Sequence, residues 1–174
     1  GMELGYNNAL FGIPATPTYN GNISAVKWSD NLGLGDATNV KQRAYAYTYD
    51  PMNRIKTADH SQYASAWTAN NHFQLSGLTY DLNGNIETLT RRDANGADMD
   101  VLVYDYAGTG NQLRGVRDDG NDAEGFKDGT NGGDDYLYDD NGNMTRDENK
   151  DIGTITYNHL ILPQRVEKDA NNYI

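Results

Sequence analysis

The chain has 174 residues with 14 Lys and Arg against 25 Asp and Glu, and its formal charge of −11 argues against nucleic acid or an anionic lipid surface as a partner. It has no Cys, which excludes disulfides, thiolate metal sites and Cys nucleophiles. No window approaches the roughly 18 consecutive apolar residues of a membrane span, and no basic segment followed by an apolar stretch opens the chain, so a soluble chain without a cleaved leader is expected. Against 3 Phe and 4 Pro stand 13 Tyr and 19 Gly, a bias toward strands and tight turns.

In chain order, Gly1 ahead of Met2 reads as the remnant of a removed tag, and residues 1–18 as an N-terminal extension. A short phrase YNGNI follows at Tyr19–Ile23. From Arg43 to Tyr49 the period-2 alternation predicts a strand with Tyr45, Tyr47 and Tyr49 on one face and Ala44, Ala46 and Thr48 on the other. That strand runs into YTYDPMNRI (Tyr47–Ile55). Ser61–Gln74 is the one segment with a helical pattern, with Ser61 as N-cap and Tyr63, Ala66 and Trp67 on one side, although Asn70-Asn71 and its composition leave it ambiguous.

LTYDLNGNI (Leu78–Ile86) follows, then a returning strand in which Ile86, Thr88 and Thr90 alternate with Glu87, Leu89 and Arg91. Apolar residues fall on both of its faces. Asp93–Gly96 predicts a turn, and Met99–Tyr106 the next strand. YDYAGTGNQL (Tyr104–Leu113), the acidic Gly-rich stretch Asp118–Asp135, YLYDDNGNM (Tyr136–Met144) and ITYNHLILP (Ile155–Pro163) complete the series.

These phrases are copies of one motif. Three of them, at Tyr47, Leu78 and Tyr136, keep identical spacing from the second Tyr onward; the copy at Tyr104 is looser, its apolar residue displaced by one position, and those at Tyr19 and Ile155 are decayed. Successive second Tyr residues, from Tyr49 through Tyr80, Tyr106 and Tyr138 to Tyr157, are 31, 26, 32 and 19 residues apart. Irregular intervals around a constant core suit a winding sheet whose loops differ in length. Within the motif, Tyr80 closes a strand, Asp81 is placed to accept from the amide two residues on, and Asn83 and Gly84 tolerate the positive φ of a tight turn. Asp50, Asp81, Asp139, Gly84 and Gly142 are thus read as fold residues.

YDPMNRI, YDLNGNI and YDDNGNM resemble the YD, or Rhs, repeat family, whose bacterial members include wall-associated proteins; the resemblance runs from about Tyr19 to the C-terminus. It implies an all-β fold with little or no helix: a twisted, curved antiparallel β-meander over residues 19–174, forming part of a β-spiral shell. It also implies an extracellular or cell-envelope location within a larger protein. In toxin members such a shell encloses an effector, which here would lie downstream of Ile174. The family's self-cleaving core carries Asp-Pro-x-Gly, whereas the one Asp-Pro here, Asp50-Pro51, continues as Met52-Asn53, so autoproteolysis does not carry over.

Chemistry-bearing patterns are sparse. His60, His72 and His159 lie far apart with no metal-binding spacing, and Gly108-Thr109-Gly110 lacks a phosphate-loop continuation. No catalytic, cofactor-binding or metal residues are assigned, and an enzyme is not expected. The stretch Asp118–Asp135, with seven acidic residues, does not meet a calcium-loop register and is read as a flexible, solvated insertion. The expected role is a non-catalytic structural repeat module, with neighbouring repeats, its own strand edges or an encapsulated effector as partners. The rival reading is an adhesion or glycan-binding module using the Tyr-rich face or Trp28 and Trp67.

Overall fold

The computed structural model describes all residues except 9, 11, 31–40, 109, 130–132, 170–171 and 174. Its strands are β1 (Met2–Gly5), β2 (Ala25–Asp30), β3 (Lys41–Tyr49), β4 (Ile55–Tyr63), β5 (Trp67–Ala69), β6 (Leu75–Tyr80) and β7 (Ile86–Arg92). They continue with β8 (Asp98–Tyr106), β9 (Leu113–Asp118), β10 (Tyr136–Tyr138), β11 (Met144–Asp147), β12 (Thr154–Tyr157), β13 (Pro163–Asp169) and β14 (Asn172–Tyr173). One 3-10 turn, Glu148–Lys150, is the helical element among the described residues. The fold is all-β, an antiparallel meander with strand order β1-β2-β3-β4-β6-β7-β8-β9, in which β5 pairs with β4; β10-β11 and β12-β13-β14 form two smaller sheets.

Five hairpins share one loop. At Asp50, Asp81, Asp93, Asp139 and Asn158 the backbone amide donates to the carbonyl four residues on, and the amide three residues on donates back, at 2.9–3.2 Å. The side-chain Oδ1 of the same residue accepts from the amides two and four residues on, at 2.8–3.2 Å. One oxygen therefore satisfies two donors that the reversal would otherwise strand. The fourth residue of each loop is left-handed: Asn53 (φ 63), Gly84 (φ 90), Gly96 (φ 82), Gly142 (φ 82) and Ile161 (φ 60). This is the geometry of a three-residue hairpin loop closed by a left-handed residue. Asn83, expected to share the positive φ, does not. In the loose copy Ala107 replaces the Asp, its amide donates five residues on to Gln112, and Gly108 (φ 58) supplies the left-handed step. That one-residue longer loop is why Leu113 falls one position late.

The chain divides into two compact units, Gly1–Thr79 with Leu89–Met99, and Tyr80–Thr88 with Asp100–Ile174. In the first, the pleat of β3 sorts its residues as expected. Ala44 and Ala46 face a core of Leu10, Ile13 and Ala25, against which Ala15 and Trp67 pack. The N-terminal extension belongs to this fold, since Met2–Gly5 pairs with Ala25–Trp28. A Cβ on Gly5 would stand 2.6 Å from Leu10 Cγ, so the close approach of that segment needs glycine.

The helical pattern of Ser61–Gln74 is overturned. Ser61 is 1% exposed inside β4 rather than an N-cap, Ala64 and Ala66 turn the chain, and Trp67–Ala69 returns antiparallel as Tyr63 meets Trp67. The four-residue spacing of Tyr63 and Trp67 that mimics a helix face is that of a hairpin. Their rings lie 5.4 Å apart across it, and the indole covers the Leu10 and Ile13 core.

In the second unit β9 pairs with β8, Tyr104 opposite Val116 and Leu102 opposite Asp118. The opposite edge of β9 starts a new ladder, Asp135 N to Arg114 O at 2.8 Å, and then departs from it. Val116 N donates to Asp135 Oδ2 at 2.7 Å and Asp118 N to Asp128 Oδ2 at 3.2 Å. Carboxylates thus take the place of a neighbouring strand's carbonyls and close the edge. Gly115 makes room for this, since a Cβ there would lie 3.2 Å from Asp135 Oδ2. The acidic stretch is tied down further: Asp118 Oδ1 accepts from Val101 N (2.7 Å) and Gly120 N (2.8 Å), and the fully buried Asp100 accepts from Phe126 N (2.6 Å). Its residues 130–132 lie outside the described residues.

Gly84→Val places a β-branched residue at φ 90 and lowers stability by about 1 kcal/mol or more. Ile161, β-branched in the same conformation and 57% exposed, gives the opposite sign: Ile161→Gly raises stability by about 1 kcal/mol. Thermal or urea unfolding of both variants checks the pair.

Candidate functional site

The recurrent construction of the chain is the joint between one motif copy and the next. Tyr49 Oη donates to Ile23 O at 2.7 Å, Tyr106 Oη to Ile86 O at 3.1 Å, Tyr138 Oη to Leu113 O at 2.8 Å and Tyr157 Oη to Met144 O at 2.7 Å. In each case the motif Tyr of one copy reaches the carbonyl of the apolar motif residue in the copy before it. The phrases at Tyr19 and Ile155, decayed in sequence, both take part.

Position follows from the hairpin. Each Tyr closes its strand opposite its own copy's apolar residue, as in Tyr49 with Ile55, Tyr106 with Leu113 and Tyr138 with Met144, and the register shifts there. Such a shift takes a residue out of the regular ladder and leaves its carbonyl open to another partner. Burial raises the hydroxyl pKa of Tyr49, Tyr106 and Tyr138, and nearby Tyr104, Asp81 and Tyr138 push Tyr106 the same way. The phenols therefore stay protonated and donating.

Asparagines add rungs between turns. Asn20 Nδ2 and Asn22 Nδ2 both donate to Asn53 Oδ1, at 2.6 and 3.1 Å, and Asn85 Nδ2 donates to Asn111 Oδ1 at 3.0 Å and to Asp81 Oδ2 at 2.8 Å. The motif acids themselves are inward-turned loop braces. For Asp50 and Asp81 partial burial pushes the pKa up, but the hydrogen bonds from Arg54 and Met52, and from Asn85, Asn83 and Gly84, outweigh it and hold the carboxyl below its ordinary value. The amide of Asn95 acts first at Asp93, and the side chain of Asn143 at Asp139, with the same net direction.

The tyrosine stripe of β3 packs along the sheet. Tyr45 stacks on Trp28 (5.6 Å between ring centres) and on Tyr47 (6.2 Å), meets His60 edge-on (5.5 Å) and donates its hydroxyl to Phe73 O (2.9 Å). His60 in turn meets Phe73 edge-on at 5.6 Å. Trp67 is on the other side, on the core, so Trp28 and Trp67 do not form one surface. The three histidines stay separate: His60 is buried with Nδ1 2.8 Å from Asn70 Oδ1, His72 is half-buried and His159 exposed. Among the described residues no three of His, Asp or Glu gather as a metal site, and no helix is long and apolar enough to cross a membrane.

The sequence points to the motif Tyr, Asp and Gly, but it shows neither the carbonyl that each Tyr reaches nor the edge-capping carboxylates of Asp128 and Asp135. Set against family models, curated proteins and solved structures, the chain matches none.

Removing one joint hydroxyl leaves a partly buried carbonyl without its donor, so Tyr106→Phe and Tyr138→Phe each lower unfolding free energy by about 1 kcal/mol in urea titrations. Carboxyls held below their ordinary pKa contribute stability that is present above the unfolded value near 3.9 and is lost as pH falls through the folded value. The melting temperature is expected to be level in neutral solution and to fall below about pH 4, with circular dichroism at stepped pH as the check.

Proposed function

We propose that the chain is a non-catalytic structural repeat module, a segment of the β-sheet wall of a large secreted or cell-surface protein of the YD/Rhs-repeat kind. The observation that carries this reading is the tyrosine-to-carbonyl joint, made by Tyr49, Tyr106, Tyr138 and Tyr157 between successive copies whose spacing varies. A reacting site needs particular side chains converging on one place, whereas here the recurring side chains are engaged in closing turns and joining them. In a repeat array each copy is stabilised by its neighbours. The partners of the module are then adjoining repeats, with an enclosed effector polypeptide as the cargo of the complete wall.

A wall segment offers strand edges to further strands. Strand β1 pairs with β2 on one side, and Met2 and Leu4 on it are exposed. Light scattering over a concentration series is expected to show mass rising from the 19.3 kDa monomer with the β signal in circular dichroism preserved. A mass fixed at the monomer value up to about 1 mM, weaker than which contacts scarcely register as association, would remove the reading of open edges.

A further inference from the structure

Four Asn-Gly steps lie among the described residues, at Asn20, Asn83, Asn95 and Asn141. Such a step is open to a reaction of its own, in which the glycine amide nitrogen attacks the Asn side-chain carbon Cγ, since a residue without a Cβ leaves the approach unhindered. The N–Cγ bond forms and the Cγ–Nδ2 bond breaks; the departing nitrogen takes up the equivalent of the glycine amide proton and leaves as ammonia. Water then opens the cyclic imide at either carbonyl, giving aspartate or isoaspartate.

Three of the four are restrained by the loop they share. Gly84 N, Gly96 N and Gly142 N donate to the carbonyls of Asp81, Asp93 and Asp139 at 3.2, 3.2 and 2.9 Å, so the attacking nitrogen is engaged. The Asn before each glycine is pinned as well, its own amide donating to Oδ1 of the same Asp at 2.8, 2.8 and 3.0 Å. Asn20-Gly21 has neither restraint. Counting back from the glycine, Thr18 takes the place of the Asp, and its hydroxyl donates to Asn22 O instead of accepting from the loop amides. Gly21 N makes no hydrogen bond among the described residues, and a Cβ on Gly21 would meet nothing within 4 Å. The brace is made wholly within a loop, so its absence follows from Thr18 itself and not from what precedes the copy.

The electrophile at this step is also prepared. Asn22 N donates to Asn20 Oδ1 at 3.1 Å, and that oxygen is where negative charge develops as Gly21 N closes on Cγ. Asn20 and Gly21 are both exposed, so solvent base and water reach them. From this we infer that Asn20-Gly21 is a self-modification site, converting to aspartate and isoaspartate in the folded chain while Asn83, Asn95 and Asn141 persist. The change acts on the contact between copies. Asn20 Nδ2 is the donor of the 2.6 Å rung to Asn53 Oδ1, and the product sets a carboxylate oxygen against that acceptor. The rung is lost, and of the two asparagines Asn22 alone still reaches Asn53. The inference goes beyond the structural role and does not rest on it.

The test ages the whole chain at body temperature in mildly alkaline buffer, with a parallel sample in guanidinium chloride. Trypsin puts the four steps on separate peptides, and tandem mass spectrometry follows each. The expected result is a gain of about 1 Da at Asn20 at least about tenfold faster than at Asn83, Asn95 or Asn141, roughly what two engaged hydrogen bonds are worth. In guanidinium chloride, where the loops are open, the four rates fall within about threefold of one another. Thr18→Asp supplies the missing brace and slows Asn20 by at least about threefold. The inference is overturned if Asn20 is not the fastest of the four in the folded chain, if its lead persists undiminished in guanidinium chloride, or if Thr18→Asp reacts at the parent rate. None of these outcomes bears on the light-scattering result for the wall segment, so the two readings fail separately.

Discussion

A phenol hydroxyl reaching a backbone carbonyl is the interaction on which the rest of this molecule depends. Each hairpin turn supplies its own closure through one Asp or Asn oxygen, and that oxygen is spent within the turn rather than on a neighbour. The Tyr at the end of the motif strand reaches the neighbour, 2.7 to 3.1 Å from an oxygen of the preceding copy. Because a buried phenol is costly to ionise and costly to leave unpaired, the contact is persistent as well as local.

The turns were largely legible in the sequence, since Asp81 or Asp139 followed at fixed distance by Gly84 or Gly142 encodes a loop through local stereochemistry alone. The strands of the meander followed from those turns and from alternation, and β3 sorted Ala44 and Ala46 from its tyrosines as the pattern required. Long-range facts were not legible. Nothing in a one-dimensional pattern states that Tyr138 bonds Leu113, because any residue has a carbonyl. Tyr63 and Trp67 mimic a helix face because a tight hairpin and a helical turn both bring residues four apart together.

The acidic insertion shows how charge and topology interact. The acidic, Gly-rich composition of Asp118–Asp135 reads as a solvated insertion, yet Asp135 and Asp128 reach the outer amides of β9, where peptide carbonyls would have come from another strand. A carboxylate accepts strongly from an amide and carries no edge of its own, so it ends a ladder without offering a template for the next. The meander stops at β9 for this reason, and a separate two-stranded ladder, β10-β11, begins after the insertion.

The joint also bears on how such a chain can change over time. Its acceptors are the carbonyls of Ile23, Ile86, Leu113 and Met144, groups that survive any substitution at those positions. Only the donor must be kept, one Tyr per copy, while the intervening segments lengthen, shorten or take on new sequence. At this joint the acceptor residue of a neighbouring copy can be exchanged without a compensating change in the Tyr that reaches it. A lineage holding such a chain could try new surfaces at one copy while the others keep their contacts.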